Sequence, residues 1–325
     1  MKAAQDPKTE DIVENLVDIM REKLPRESQS LAEKFVALYF TGVAPEDVDE
    51  SDVANLYGAA MAHLNYARHR VPGTPKVHVY NPQFEQHGWQ STHTIVEIVT
   101  DDMPFLVDSV TAALNQLELI VHLVVHPMFK VRRDKRGRLI EVVGNKTPDS
   151  ISESFLHIEV TEQSDDRWDR IRSTVETVLG DVRAAVKDWH AMRDRMSEII
   201  NELHTPPAKI TLEETDEARA FLRWAYDDNF TFIGYRDYDL SSKGSRLKVL
   251  PIAKTALGVL HRSDAEVFEQ YGADQALPPD VSTSLRRPDL LMVTKSNFRS
   301  TVHRHVHLDA IGIKRLDANG KVTGQ

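Results

Sequence analysis

The sequence predicts an α+β protein with a helical N-terminal layer, a split β-α-β module closed by a long helix, and a final helix followed by a mainly antiparallel sheet. Three observations lead there. Residues 94–100 are an apolar, β-branched run, the composition of a strand, and at Phe105 the period changes to that of a helix. Apolar residues then recur at spacings of 3 and 4 through Trp168, Ile171, Val175, Val178, Val182, Ala185, Trp189, Met192, Met196, Ile199 and Leu203. Finally, residues 290–294, 300–308 and 311–316 are short β-type runs separated by turn residues.

Taken in order, Ile12, Leu16, Ile19 and Met20 form one helical stripe. Leu31, Phe35, Leu38 and Tyr39 form a second, ending at Gly42. The acidic stretch 45–52 is expected to be exposed. A third helix carries Val53, Leu56, Tyr57, Ala60, Leu64 and Tyr66 and stops at Val71-Pro72-Gly73. Residues 77–80 predict a short strand. In the split module, Asp101 and Asp102 end the first strand, and Pro104 is expected at the first helical position, where a missing N–H costs nothing. Phe105, Leu106, Val110, Ala113, Leu114 and Leu117 share one helical face, and residues 120–131 predict a second strand. Residues 134–137 are a turn, 139–143 a returning strand, and 155–160 a strand alternating around His157 and Glu159.

The heptad helix, drawn unbroken from 165 to 203, would be about 58 Å long at 1.5 Å per residue. Gly180 is the expected break or kink, and the stripe suits packing inside a domain or, as the sharper reading, an oligomer seam. Pro206-Pro207 reads as a linker, and Thr211 with Glu214 as a capping box. Strands are expected at 230–235 and 247–252, with loops over 262–288. Asp317-Ala318-Asn319-Gly320 is a hairpin turn, and 321–323 begins a returning strand, which suggests a chain cut from something longer.

With 40 Lys and Arg against 50 Asp and Glu, the net charge of −10 argues against nucleic acid as a partner. No cysteine is present, so disulfides and thiolate chemistry are excluded, which fits a reducing cytoplasm. No apolar run approaches the roughly 20 residues of a membrane span. Neither G-x-G-x-x-G nor G-x-x-x-x-G-K-[ST] occurs, nor G-x-S-x-G or H-E-x-x-H, so the expectation is a chain with no catalytic residues and no cofactor site of its own. His303, His305 and His307 would share one face of a strand and are the candidate zinc ligands. Three imidazoles along one straight strand fit a tetrahedron poorly, so an ordinary sheet face is preferred there. Arg132, Arg133, Lys135, Arg136 and Arg138 cluster at a hairpin and read as a solvated turn. Asp101, Asp102 and Asp108 lie near a helix start, where they would complement the helix dipole; the alternative there is an effector site.

The strand–turn–helix string Thr100-Asp101-Asp102-Met103-Pro104-Phe105-Leu106 resembles that of an ACT domain, a βαββαβ module. The strings DDMPFLVDSV, LGDVRAAVKDWHAM, NFTFIGYRDYDL and KSNFRSTVHRHVHLDAIGIKRLDANGKVTG together resemble the N-terminal region of the large bacterial NAD-dependent glutamate dehydrogenases. The resemblance implies a helical segment over 1–75, an ACT-like domain with a long second helix over 76–205, and a PAS-like antiparallel-sheet domain over 206–325, cut short at its C-terminus. It implies a non-catalytic regulatory and assembly region, with NAD bound elsewhere in the full-length enzyme. Its partners would be the rest of the same polypeptide, further copies in a homo-oligomer, and an amino-acid effector. The effector or interface positions would be Asp101, Asp102, Met103, Pro104, Phe105 and Asp108. Phe105 stands where the ACT pattern D-x-P-G has glycine, which disfavours a standard amino-acid site and favours a structural role. The alternative is a self-standing small-molecule sensor.

Overall fold

A computed structural model describes residues 7–40, 43, 53–143, 147–243, 246–262, 277 and 279–325. Gly42, the acidic stretch 45–52 and most of the expected loop 262–288 lie outside the described residues. Contacts divide the chain into Met1–Leu179 and Gly180–Gln325.

In the first unit, α1 (Pro7–Lys23), α2 (Arg26–Tyr39) and α3 (Val53–Ala67) form the helical layer. Then come β1 (Lys76–Tyr80), the single turn α4 (Phe84–His87), β2 (His93–Asp101), α5 (Leu106–Gln116), β3 (Val121–Val125), β4 (Met128–Arg133), β5 (Leu139–Val143) and β6 (Ile151–Thr161). Among the described residues these make a six-stranded antiparallel sheet in the order β1-β2-β6-β4-β5, with β3 also pairing β6. One face carries Val99, Phe129, Val131 and Phe155. They pack on Leu16 and Met20 of α1, Phe35 and Tyr39 of α2, and Ala60 and Leu64 of α3 in one apolar core. β2 and β6 are buried on both faces, since Val96, Ile98, Leu156 and Ile158 on the other side are also covered. That explains why their sequences run apolar without clean alternation.

The module departs from a βαββαβ order. The place beside β2 that a strand after the second helix would take is held by β1, from before the module. The expected strand 120–131 is two strands. Pro127 supplies no N–H to a ladder, and the chain resumes beside β6 with Met128 opposite Ser154.

The helix α6 (Trp168–Glu202) runs through both units without the break expected at Gly180. Gly180 is exposed and nothing crowds it, while Val178, Leu179, Asp181 and Val182 around it are buried. Burial of the neighbouring stripe offsets the roughly 1 kcal/mol that glycine costs a helix. Ile171, Val175, Val178, Val182, Ala185 and Met192 of the heptad stripe are buried within the chain, whereas Trp189 is exposed.

The second unit continues with α7 (Leu212–Trp224). Its cap is as expected: Thr211 Oγ1 accepts from Glu214 N at 3.2 Å. The Glu214 carboxylate does not turn back to Thr211 but accepts from Leu290 N at 3.0 Å, tying the helix start to the sheet. The strand expected at 230–235 shrinks to β7 (Gly234–Tyr235), because a wide turn over Ala225–Asn229, with Asp228 left-handed, takes the chain out of α7. Next are β8 (Tyr238–Lys243), β9 (Arg246–Pro251), β10 (Leu257–Gly258), α8 (Pro279–Arg286), β11 (Leu291–Arg299), β12 (His307–Ile313), β13 (Arg315–Leu316) and β14 (Val322–Gly324). Pairings are β7 with β10, β11 with β12, and a sheet β13-β14-β8-β9. β14 thus lies between β13 and β8. The buried Lys314 ammonium bonds the carbonyls of Ser284 and Arg287 and the Asp289 carboxylate, giving α8 a C-terminal cation that suits its dipole.

Candidate functional site

The strand–turn–helix at 101–106 is closed by its own neighbours. Asp101 accepts from Arg70 Nη2 at 2.6 Å. Asp102 accepts from the Ser154 hydroxyl at 2.7 Å, and that hydroxyl in turn lies 3.1 Å from His126 Nε2. The helix begins at Leu106 and not at Pro104. Phe105 is the residue before it, with φ 70° and ψ 5°. Phenylalanine therefore adopts the left-handed conformation that glycine takes without strain, at a cost of about 1–2 kcal/mol. Its ring is half-buried, Met103 is half-buried, and Pro104 and Asp102 are exposed. Asp108 sits in the first turn of α5. The turn keeps its backbone shape, and its Asp101 and Asp102 carboxylates are committed to Arg70 and Ser154.

Arg70, Arg133, Glu153 and Asp101 form a buried ionic network. Arg133 meets both Glu153 oxygens at 2.7 Å, Arg70 meets Glu153 at 2.7 Å, and Arg70 reaches Asp101. Arg133 also donates to the Ala67 and Gly137 carbonyls at 2.9 Å. Gly137, at φ 82°, lets this turn close on α3's exit: a Cβ there would lie 2.5 Å from the Arg70 carbonyl oxygen. In the basic run, Arg133 is thus a core residue, while Arg132 pairs with Glu141 and Arg138 with Asp134.

The expected histidine strand does not form. Residues 301–304 and 306 are bends, His303 is left-handed at φ 65°, and β12 starts only at His307. His305 Nδ1 lies 2.8 Å from the Ser300 carbonyl and His307 Nδ1 3.0 Å from that of Ser296. Backbone carbonyls outcompete a straight ladder here, so the three rings share no strand face.

A different polar group lies in the first unit. The register sets His78 of β1 opposite Glu97 of β2, and Glu97 opposite His157 of β6. This is a polar row across three strands, on the sheet face that otherwise holds Ile95, Val99 and Phe155. His63 of α3 and Tyr39 of α2 come down onto it. Glu97 accepts from Tyr80 Oη at 3.1 Å and lies 3.7 Å from His78 Nδ1. His63 Nε2 is 3.2 Å from the Ile98 carbonyl and Nδ1 is 2.9 Å from Tyr39 Oη. His157 Nε2 is 3.4 Å from Glu159, which also holds His93 at 2.9 Å. His63, Glu97 and His157 are all at most 3% exposed. Burial drives the His63 imidazolium down to a pKa of about 4, against the pull of Glu97, so this ring is neutral. Burial also pushes the Glu97 carboxyl up, but the hydrogen bond from His78 and the nearby imidazoles outweigh it, and the net shift is downward. Burial raises the Tyr39 and Tyr80 phenols, which stay protonated as donors. The sequence showed His157 and His78 on strands, but the cluster exists only through pairings some 20 and 60 residues apart and a helix laid across them.

The second unit contains a cavity of about 690 Å³ lined by Met192, Met196 and Ile199 of α6 and by Phe232, Tyr235 and Phe298. Arg195 Nε donates to Tyr235 Oη at 2.9 Å, and that hydroxyl donates to Asp237 at 2.7 Å, placing one polar relay on an apolar wall. Among the described residues, no helix is long and apolar enough to cross a membrane.

Comparison with known proteins places these features in a family. Residues 35–175 match the sequence model of the family described as "Glutamate dehydrogenase, ACT1 domain". An NAD-specific glutamate dehydrogenase of Halomonas elongata is 32% identical over 329 residues, covering 100% of this chain and 20% of that protein. One from Pseudomonas aeruginosa is 31% identical over 89% of this chain and 18% of its own length. One from Mycobacterium tuberculosis is 27% identical over 56% of this chain and 11% of its own length. The chain thus spans about a fifth of the length of the first of these relatives. The six-stranded sheet, α3 and the turn at 101–106 fall inside the matched segment, and over its whole length the chain is similar to the N-terminal region of the large NAD-specific glutamate dehydrogenases.

Proposed function

We propose that this chain is the regulatory and assembly region of an NAD-dependent glutamate dehydrogenase. The whole enzyme would oxidise L-glutamate to 2-oxoglutarate and ammonia while reducing NAD. The supporting observation is the alignment of the entire chain with a fifth of such an enzyme, including a dedicated ACT1 segment. The committed carboxylates at Asp101 and Asp102 and the strained Phe105 favour a packing role for the turn over amino-acid binding. Its contribution is to hold neighbouring domains and subunits in states with different activity, a coupling that requires contacts differing between those states. The test is deletion of residues 1–325 from the full-length enzyme. Altered assembly or altered response of NADH production to effectors supports the reading; unchanged assembly and regulation defeat it, as does glutamate-dependent NAD reduction by the 325-residue chain alone.

A second reading draws on the cavity beside Tyr235. It has the size of a small-molecule site, apolar with a few polar groups. In that reading the PAS-like half senses an effector by itself. A thermal-shift screen of amino acids and nucleotides on this chain separates the two: a saturable rise in Tm abolished by Tyr235→Phe favours the sensor, and a flat screen favours assembly.

A further inference from the structure

The polar row on β1, β2 and β6, with His63 laid against it, sets two imidazoles beside a buried carboxylate and leaves one imidazole nitrogen without a partner. His63 Nε2 faces the Ile98 carbonyl at 3.2 Å and must donate there, so its Nδ1 carries a lone pair. His157 Nε2 faces the Glu159 carboxylate, which assigns its proton to that nitrogen and leaves Nδ1 as a second lone pair. That His157 Nδ1 is buried and has no hydrogen-bond partner. Glu97 adds a carboxylate at 1% exposure that accepts from Tyr80 and has a histidine, His78, as its ion-pair partner. Buried polar atoms are rarely left unpaired, and buried charges are paired or coordinate metals.

One ligand atom from each of His63, Glu97 and His157 lies within 4.8 Å of the other two, and the imidazole centroids of the two histidines are 6.5 Å apart. A zinc ion with bonds of about 2.0–2.2 Å needs donors about 3.3 Å apart, so side-chain shifts of about 1 Å close the site. Two imidazoles and one carboxylate select a borderline ion such as Zn²⁺ or Co²⁺ over Mg²⁺ or Ca²⁺, which prefer all-oxygen shells. The outer partners suit it as well. A ligating histidine normally donates its other N–H to a carbonyl or carboxylate, as His63 does to Ile98 and His157 to Glu159. Tyr39 Oη, now 2.9 Å from His63 Nδ1, would turn aside or become the fourth donor.

We infer that His63, Glu97 and His157 form a buried divalent transition-metal site that pins helix α3 to strands β2 and β6. Its role is structural: all three donors are inaccessible to a substrate, and they come from elements far apart in the chain.

The experiment titrates Co²⁺, then Zn²⁺, into the tag-free 325-residue chain stripped with chelator. Co²⁺ should give the visible d–d absorption of a tetrahedral centre, saturating at one ion per chain. Zn²⁺ should displace it and raise Tm. Glu97→Gln and His157→Gln should each weaken Co²⁺ binding by about a hundredfold or more, beyond the 10–100-fold typical of outer-partner changes. A triple variant at His303, His305 and His307, each to Asn, should keep the full signal. Wild-type protein with no d–d band at one equivalent overturns the inference without reference to any variant. So does a band lost in the triple variant, or one retained in a folded Glu97→Gln protein.

Discussion

Two buried ionic groups lie along the same sheet and behave as opposites. In one, Arg70 and Arg133 meet Glu153 and Asp101, two cations against two anions, with each Glu153 oxygen held at 2.7 Å. In the other, Glu97 meets imidazole rings and a phenol, and His157 keeps a nitrogen without a partner. The central carboxylate of each, Glu153 or Glu97, is buried. The first closes its own accounting and needs nothing else, so it is architecture, joining the end of α3 to β2, β4 and β6. The second has a buried anion whose ion-pair partner is an imidazole, and a buried imidazole nitrogen with no hydrogen-bond partner. Burial alone therefore does not mark a functional cluster; the balance of donors, acceptors and charge inside it does.

The largest test of this contrast is a pair of isosteric changes. Glu153→Gln leaves two buried guanidinium groups short of an anion and should cost about 3–5 kcal/mol. Glu97→Gln removes a buried charge without stranding a cation, and in metal-free protein should change stability by less than about 1 kcal/mol. Denaturant melts of both variants in chelator measure this; equal losses would erase the distinction.

Next in size is Gly58→Ala. A Cβ at Gly58 would lie 2.2 Å from the Trp89 Cβ, and the Trp89 ring lies 6.2 Å from that of His157. Overpacking should cost about 1–3 kcal/mol. It should also move the His157 ring signals in NMR spectra while leaving Arg70 and Arg133 unmoved.

Phe105 offers a smaller effect beside the arginine network. With φ at 70°, Phe105→Gly should be more stable than Phe105→Ala by about 1 kcal/mol, because alanine keeps the strain and loses the ring. Chemical denaturation of the two variants measures the difference, and an alanine variant at least as stable as the glycine one would show that the turn relaxes.

The smallest effect is titration of His126. Burial lowers its pKa, partly opposed by Asp102. The folded protein then binds fewer protons than the unfolded chain, whose histidine titrates near 6.5. Stability from this site is complete above about pH 6.5 and declines as pH falls below it. The slope of Tm against pH between 7 and 5 should flatten in His126→Gln, and an unchanged slope would show that Ser154 and Asp102 accommodate the imidazolium.

Much of this was legible along the chain. The stripes of α1, α2, α3 and α6, the β-branched run of β2, the Thr211 cap and the turn at 134–137 follow from local periodicity and backbone chemistry, and local signals specify local structure. The chemistry was less so. The aspartates at 101 and 102 stood out at a helix start, and His303, His305 and His307 stood out by spacing, yet ion pairing with Arg70, the Ser154 hydroxyl and backbone carbonyls took them up. His63, Glu97 and His157 have no shared motif. By itself the sequence determined most of the helices, several of the strands and the resemblance to the large glutamate dehydrogenases. Only the tertiary structure decided that β1 rather than a later strand flanks β2, that α6 passes Gly180 unbroken, and that a glutamate and two histidines meet in the dark of the core. Strand register, helix docking and burial are non-local, and it is their combination, not any residue type, that brings one buried carboxylate among histidines.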